Sequence, residues 1–366
     1  MLERYGHGGD WTTAEERYGR PEGGWLDFSA NMNPAGPPES VGRIFRDHWR
    51  EIVRYPDPAV RGLRSKLART YGISPDSILV GNGAAELIDL TVRGLRPQEA
   101  LLAQPSFKEY EDALRKEAVP IKPHLLSAEE GYLPGSAAAA EASGLSRDGC
   151  VFLGHPNNPT GRLVPRRTMD ELRRSAPMLL LDEAFIDFVP QEEDVSLLRE
   201  AAESERLAVF RSMTKFYAIP GIRLGFMVAH PRRIAELKAL QPPWSVNFLA
   251  QRIGEAVLDE REYAARTRAW LQEERPWLTD RLSELNINVC PSDVNYLLGE
   301  LPADGGWTAR ALQDYLAGRG ILLRDASLFP GLTERHFRMA VRLREENERL
   351  LRELEQAFAK GAPAHA

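Results

Sequence analysis

The sequence predicts an α/β protein: a large domain on a mostly parallel sheet, followed by a smaller C-terminal α/β domain. Three observations carry that expectation. Short apolar runs recur between helical segments, side chains of chemical interest fall where the runs end, and the pattern changes around Pro242-Pro243-Trp244. A run apolar at every position suits a strand buried on both faces, as in parallel sheets.

The first forty residues are rich in Gly, Pro and Asn and read as an irregular arm, residues 1–40, expected to pack with the small domain and the active site. A large domain over 41–245 and a small one over 246–366 follow. The candidate strands of the large domain are Ser77-Ile78-Leu79-Val80, Ala100-Leu101-Leu102-Ala103, Cys150-Val151-Phe152-Leu153, Met178-Leu179-Leu180-Leu181, Leu207-Ala208-Val209-Phe210 and Leu224-Gly225-Phe226-Met227-Val228. A helix is expected over 84–93, and the alanines at 137–140 suit a surface helix. Beyond the prolines, one long charged helical region over 248–285 precedes strands at 295–298, 321–324 and 337–342. An amphipathic helix over 344–358 closes the pattern.

With 43% hydrophobic and 27% charged residues, the chain has the composition of an enzyme with a sizeable core. A net charge of −6 and a pI near 5.8 argue against nucleic-acid binding, whose footprint is basic. Cys150 and Cys290 stand far apart with no metal-ligand spacing, so neither a disulfide framework nor a metal site is expected. No secretory leader or membrane span is legible, and a cytoplasmic setting is expected.

The most informative group is ordered in sequence. Asp182 ends an apolar run, Lys215 stands in Arg211-Ser212-Met213-Thr214-Lys215, and Arg223 follows. One chemistry needs all three: an amine to form an imine with an aldehyde, a carboxylate to keep a ring nitrogen protonated, and a guanidinium to grip a phosphate. That points to pyridoxal 5'-phosphate. Gly81-Asn82-Gly83-Ala84-Ala85 lies between a strand and a helix, and reads either as a tight turn or as a phosphate seat of backbone N–H groups. In His155-Pro156-Asn157-Asn158-Pro159-Thr160-Gly161, the first asparagine is the candidate donor to a phenolic oxygen. Phe107 suits either the core or the face of a flat ring. Arg324, Arg338 and Arg342 end or line apolar strands, which suits anion recognition or structural ion pairs.

These residues, with His7-Gly8-Gly9, Asp27-Phe28-Ser29-Ala30-Asn31, Arg54-Tyr55-Pro56-Asp57, the run from Asp182 to Phe188 and Pro243-Trp244-Ser245-Val246-Asn247, give a resemblance over nearly the whole chain. The chain resembles the fold-type I pyridoxal-phosphate enzymes of the histidinol-phosphate aminotransferase branch. Within that branch it looks most like the L-threonine-O-3-phosphate decarboxylases of cobalamin biosynthesis. The resemblance implies that Lys215 carries the cofactor and Asp182 pairs with its ring nitrogen, while Asn157 binds the phenolic oxygen and Phe107 stacks. Ala84, Ala85, Ser212, Thr214 and Arg223 would hold the cofactor phosphate, with Tyr55 reaching in from the second subunit of a homodimer. Arg338, Asn31 and Asn157 would meet the substrate carboxylate, and Arg324 and His7 its phosphate. Phe185 stands where aminotransferases of the branch usually carry tyrosine, and Ala84-Ala85 replace a more polar pair.

Overall fold

The computed structural model describes residues 7–362. Its central sheet has seven strands: β2 (Ile78–Gly81), β3 (Ala100–Gln104), β4 (Ile121–Leu125), β5 (Cys150–Gly154), β6 (Leu179–Asp182), β7 (Leu207–Ser212) and β8 (Gly225–Ala229), with β1 kept for Leu26–Asp27. They lie in the order β2-β8-β7-β6-β5-β3-β4, and only β8 runs against the rest. No crossover helix stands between β7 and β8, and a parallel return needs one. Alternate residues feed opposite faces. Leu180 and Phe210 enter one apolar cluster, and Leu179, Leu181 and Val209 enter the other. Strand β4 was not foreseen, because it holds Pro123 and mostly exposed side chains. Both are tolerated at a sheet edge.

The C-terminal part adds β9 (Asn288–Val289), β10 (Tyr296–Glu300), β11 (Ile321–Leu322), β12 (Arg324–Asp325) and β13 (His336–Ala340). An antiparallel sheet of order β12-β13-β10-β9 covers a separate apolar cluster with the helices Arg261–Glu284, Ala309–Ala317 and Arg344–Lys360. The helical region expected over 248–285 is two helices, Phe248–Val257 and Arg261–Glu284. Each half follows a different core: Ala250, Ile253 and Val257 join the large sheet's cluster, and Leu271, Leu278 and Leu282 join the small one.

The arm is less irregular than expected. Asp10 accepts from the Thr13 N–H and starts a helix, Trp11–Tyr18, and β1 pairs in parallel with β11, Leu26 beside Ile321. Trp25, Leu26 and Phe28 are buried. The partner strand lies so far along the chain that no local pattern could show it. Residues 1–6, part of the leader reading, lie outside the described residues. Among the described residues no helix is long and apolar enough to cross a membrane.

Candidate active site

A cavity of about 450 Å³ opens at the carboxyl ends of the parallel strands, the edge at which such sheets take ligands. Period-two geometry explains its floor. Asp182 and Ser212, the last residues of β6 and β7, face it. Their neighbours Glu183 and Arg211 turn the other way, where the Arg211 guanidinium meets Glu183 at 2.9 Å, Asp187 at 3.1 Å and Glu192 at 2.9 Å. This buried ion cluster braces the two strand ends from behind.

Lys215 follows β7 into the cavity, its Nζ 3.4 Å from the Ser212 Oγ and 6.0 Å from the Phe185 ring centroid. Burial pulls the amine down to about 8. Arg223 and Arg338 act in the same direction, and Asp182 opposes them. Asp182 is held at both oxygens: the Tyr110 hydroxyl donates to Oδ2 at 2.6 Å and the Ala184 N–H to Oδ1 at 2.9 Å. Burial still pushes its carboxyl above the usual range.

Beside them the helix Ala84–Leu95 begins, and its first N–H groups have no intrahelical acceptor. Two glycines shape this corner. A Cβ on Gly83, where φ is 91°, would stand 2.5 Å from the Arg223 guanidinium, and one on Gly225 would stand 2.7 Å from the Ala84 nitrogen. Backbone amides, the helix dipole, Arg223, Ser212 and Thr214 therefore converge on one end of the cavity. The cavity wall also carries Arg324 and Arg338, which face each other across the β12–β13 ladder. The Arg338 guanidinium donates to the Asn158 Oδ1 at 2.6 Å and to the Ser29 carbonyl at 2.7 Å. His7 and Asn31 also line the cavity, His7 within 2.8 Å of Glu109, and the buried Asn31 Oδ1 has no hydrogen-bond partner among the described residues.

The fold thus brings Ala84, Ala85, Phe107, Asp182, Ser212, Thr214, Lys215, Arg223, His7, Asn31, Arg324 and Arg338 to one cavity. One expected residue is elsewhere. Asn157 does not line it. Its side-chain amide N–H groups donate to the Pro105 carbonyl at 2.9 Å and the Thr160 hydroxyl at 3.1 Å, and its backbone carbonyl accepts from the Tyr296 hydroxyl, so its side-chain donors are used within the protein. Asn158 faces the cavity instead. Tyr55, expected at the site only through a second subunit, is 81% exposed and lies tilted against Trp244, with ring centroids 4.9 Å apart. Arg342 spans the Asp27 carbonyl and Glu346 outside the cavity. Tyr110 went unread, although it lies one helical turn past Phe107 and so on the same face.

A phosphorylated aldehyde cofactor fits this arrangement. A buried amine of lowered pKa, a doubly held carboxylate and a glycine-cleared cation beside a helix N-terminus are what it requires. The sequence model of the aminotransferase class I and II family matches residues 24–354. The chain is 38% identical over 365 residues to the threonine-phosphate decarboxylase of Salmonella typhimurium, covering 98% of each. It also resembles the L-threonine-O-3-phosphate decarboxylase structure from Porphyromonas gingivalis, with a TM-score of 0.79, 26% identity, and 90% of this chain and 98% of that one covered. The histidinol-phosphate aminotransferase structure from Clostridium acetobutylicum gives a TM-score of 0.83 at 27% identity, covering 92% and 99%. On the shared fold and the match over most of its length, the chain belongs to the aminotransferase class I and II family.

Proposed function

We propose that the chain is a pyridoxal-phosphate-dependent carboxy-lyase that converts L-threonine O-3-phosphate to (R)-1-aminopropan-2-ol O-2-phosphate and CO2 in cobalamin biosynthesis. The observation that carries this reading is the facing pair Arg324 and Arg338 on the wall of the cavity that holds Lys215. Like charges directly across a ladder repel, so the pair suits a ligand with two anionic groups. The close decarboxylase relative supports the same substrate class.

In this reading Lys215 tethers the cofactor, Asp182 pairs with its ring nitrogen, and Arg223, Ser212, Thr214 and the Ala84 and Ala85 N–H groups hold its phosphate. Asn158 takes the phenolic-oxygen role that the sequence reading gave to Asn157. Bound there, pyridoxal phosphate supplies a ring that accepts the electron pair left when the Cα–carboxylate bond breaks. Arg338 with Asn31 grips the substrate carboxylate, and Arg324 with His7 grips its phosphate. A two-point grip fixes the torsion about the amine–Cα bond, and that torsion selects which bond breaks. Lys215, freed by the substrate amine, returns a proton to Cα. Phe185 offers this amine an apolar face with no competing donor.

The reading includes a cytoplasmic homodimer. Trp49, Ile52, Val53 and Tyr55 form an exposed apolar stretch that a second copy of the chain would cover. Tyr55 would then reach the partner's cofactor phosphate.

The test is to incubate the loaded protein with L-threonine O-3-phosphate and no 2-oxoglutarate. Release of CO2 with equimolar aminopropanol phosphate is expected, and Arg324→Ala should raise KM by about tenfold or more. Glutamate formed from histidinol phosphate and 2-oxoglutarate, with no CO2 from threonine phosphate, would instead make the chain an aminotransferase.

A further inference from the structure

We propose that Tyr110 is a positioning residue acting through Asp182: its phenol keeps the carboxylate charged and aimed at the cofactor's ring nitrogen. This role rests on the pyridoxal phosphate reading above. The geometry is specific. The Tyr110 hydroxyl lies 2.6 Å from the Asp182 Oδ2, while the Ala184 N–H holds Oδ1 at 2.9 Å. One donor on each oxygen leaves lone pairs for a third, since an ionised carboxylate accepts about four hydrogen bonds. The phenol itself is pinned. Its ring is 1% exposed, stacks on Phe152 with centroids 4.3 Å apart, and meets Phe107 edge-on at 5.6 Å.

The direction of the hydrogen bond is also determined. Burial, with the Asp182 charge beside it, pushes the Tyr110 phenol well above its ordinary range, so the O–H stays a donor at every working pH. Burial pushes Asp182 towards its neutral acid, and the Tyr110 donation opposes that. A neutral acid would no longer hold a protonated ring nitrogen by charge. Phe107 and Tyr110 share one turn, the Tyr110 N–H donating to the Phe107 carbonyl at 3.2 Å. A single helix start therefore supplies both the face for the ring and the support for its anchor.

The experiment compares apoprotein with Tyr110→Phe, which keeps the ring and its packing. Two probes are titrated by quenching of protein fluorescence: pyridoxal phosphate, and its analogue with carbon in place of the ring nitrogen. Tyr110→Phe should weaken pyridoxal phosphate by about tenfold and change the carbon analogue by less than about twofold. In an Asp182→Asn background the same substitution should cost nothing further, because the two residues act as one unit. Equal losses for both probes, or no loss for either, would overturn the role. If wild-type apoprotein binds no pyridoxal phosphate at all, the cofactor reading fails and this role fails with it.

Discussion

Lys215 is where desolvation becomes reactivity. An amine reacts only when neutral, and burial has brought this one down to about 8 from an ordinary value of 10.5. Modification of Lys215 in apoprotein by trinitrobenzenesulfonate, followed by peptide mass analysis, should rise with a midpoint near pH 8. A midpoint near 10.5 would mean that the site does not tune it. The stability linkage has the matching sign. The unfolded chain binds more protons between the two values, so the cost of burying the charged amine is full below about pH 8 and is relieved as pH rises towards 10.5. Residue type and order made Lys215, Asp182 and Arg223 legible. Which of Asn157 and Asn158 turns inward was not, because adjacent residues of a turn differ only in where the backbone aims them.

At the scale of elements, the chain at the ends of β6 and β7 presents Asp182 and Ser212 to the cavity and Glu183 and Arg211 to the ion cluster behind it. Arg211 is 1% exposed and Glu183 wholly buried, so removing this cation leaves the Glu183 carboxylate in a site that cannot solvate it. Arg211→Met should lower stability by about 3–5 kcal/mol at neutral pH, read from urea midpoints. The loss should shrink in acid. Burial has raised Glu183 to about 7 from 4.5, so the folded state binds more protons than the unfolded between those values, and stability falls as pH rises through that window. Without Arg211 the fall should steepen. An unchanged urea midpoint at pH 8 would show that the cluster braces nothing. The apolar runs announced these strands, but not the edge strand β4, whose solvated side chains follow no core.

At the scale of the whole molecule, the proposed homodimer, with Tyr55 serving the partner's site, would have a genetic signature. Lys215→Ala and Tyr55→Ala chains should each be weak alone. Mixed and re-associated, they should recover about a quarter of wild-type activity, because half the dimers are hybrids and each hybrid holds one complete site. Additive residual activity with no recovery would place the Tyr55 role within one chain or nowhere. Ile52 and Val53, 58% and 85% exposed, mark the face to disrupt as a control; Val53→Asp should favour monomers in sedimentation.

The sequence by itself determined the α/β class, the change of pattern near Pro242, and the ordered trio Asp182, Lys215 and Arg223. Local composition and spacing encode buried strands and side-chain chemistry directly. Only the tertiary structure decided that Leu26 would lie beside Ile321, that Arg324 would face Arg338, that Asn158 would turn inward, and that Tyr110 would reach Asp182. Those are pairings between distant segments or turns of a side chain about the backbone. Each is chosen by packing the chain against itself, a cooperative term that no window of neighbouring residues contains.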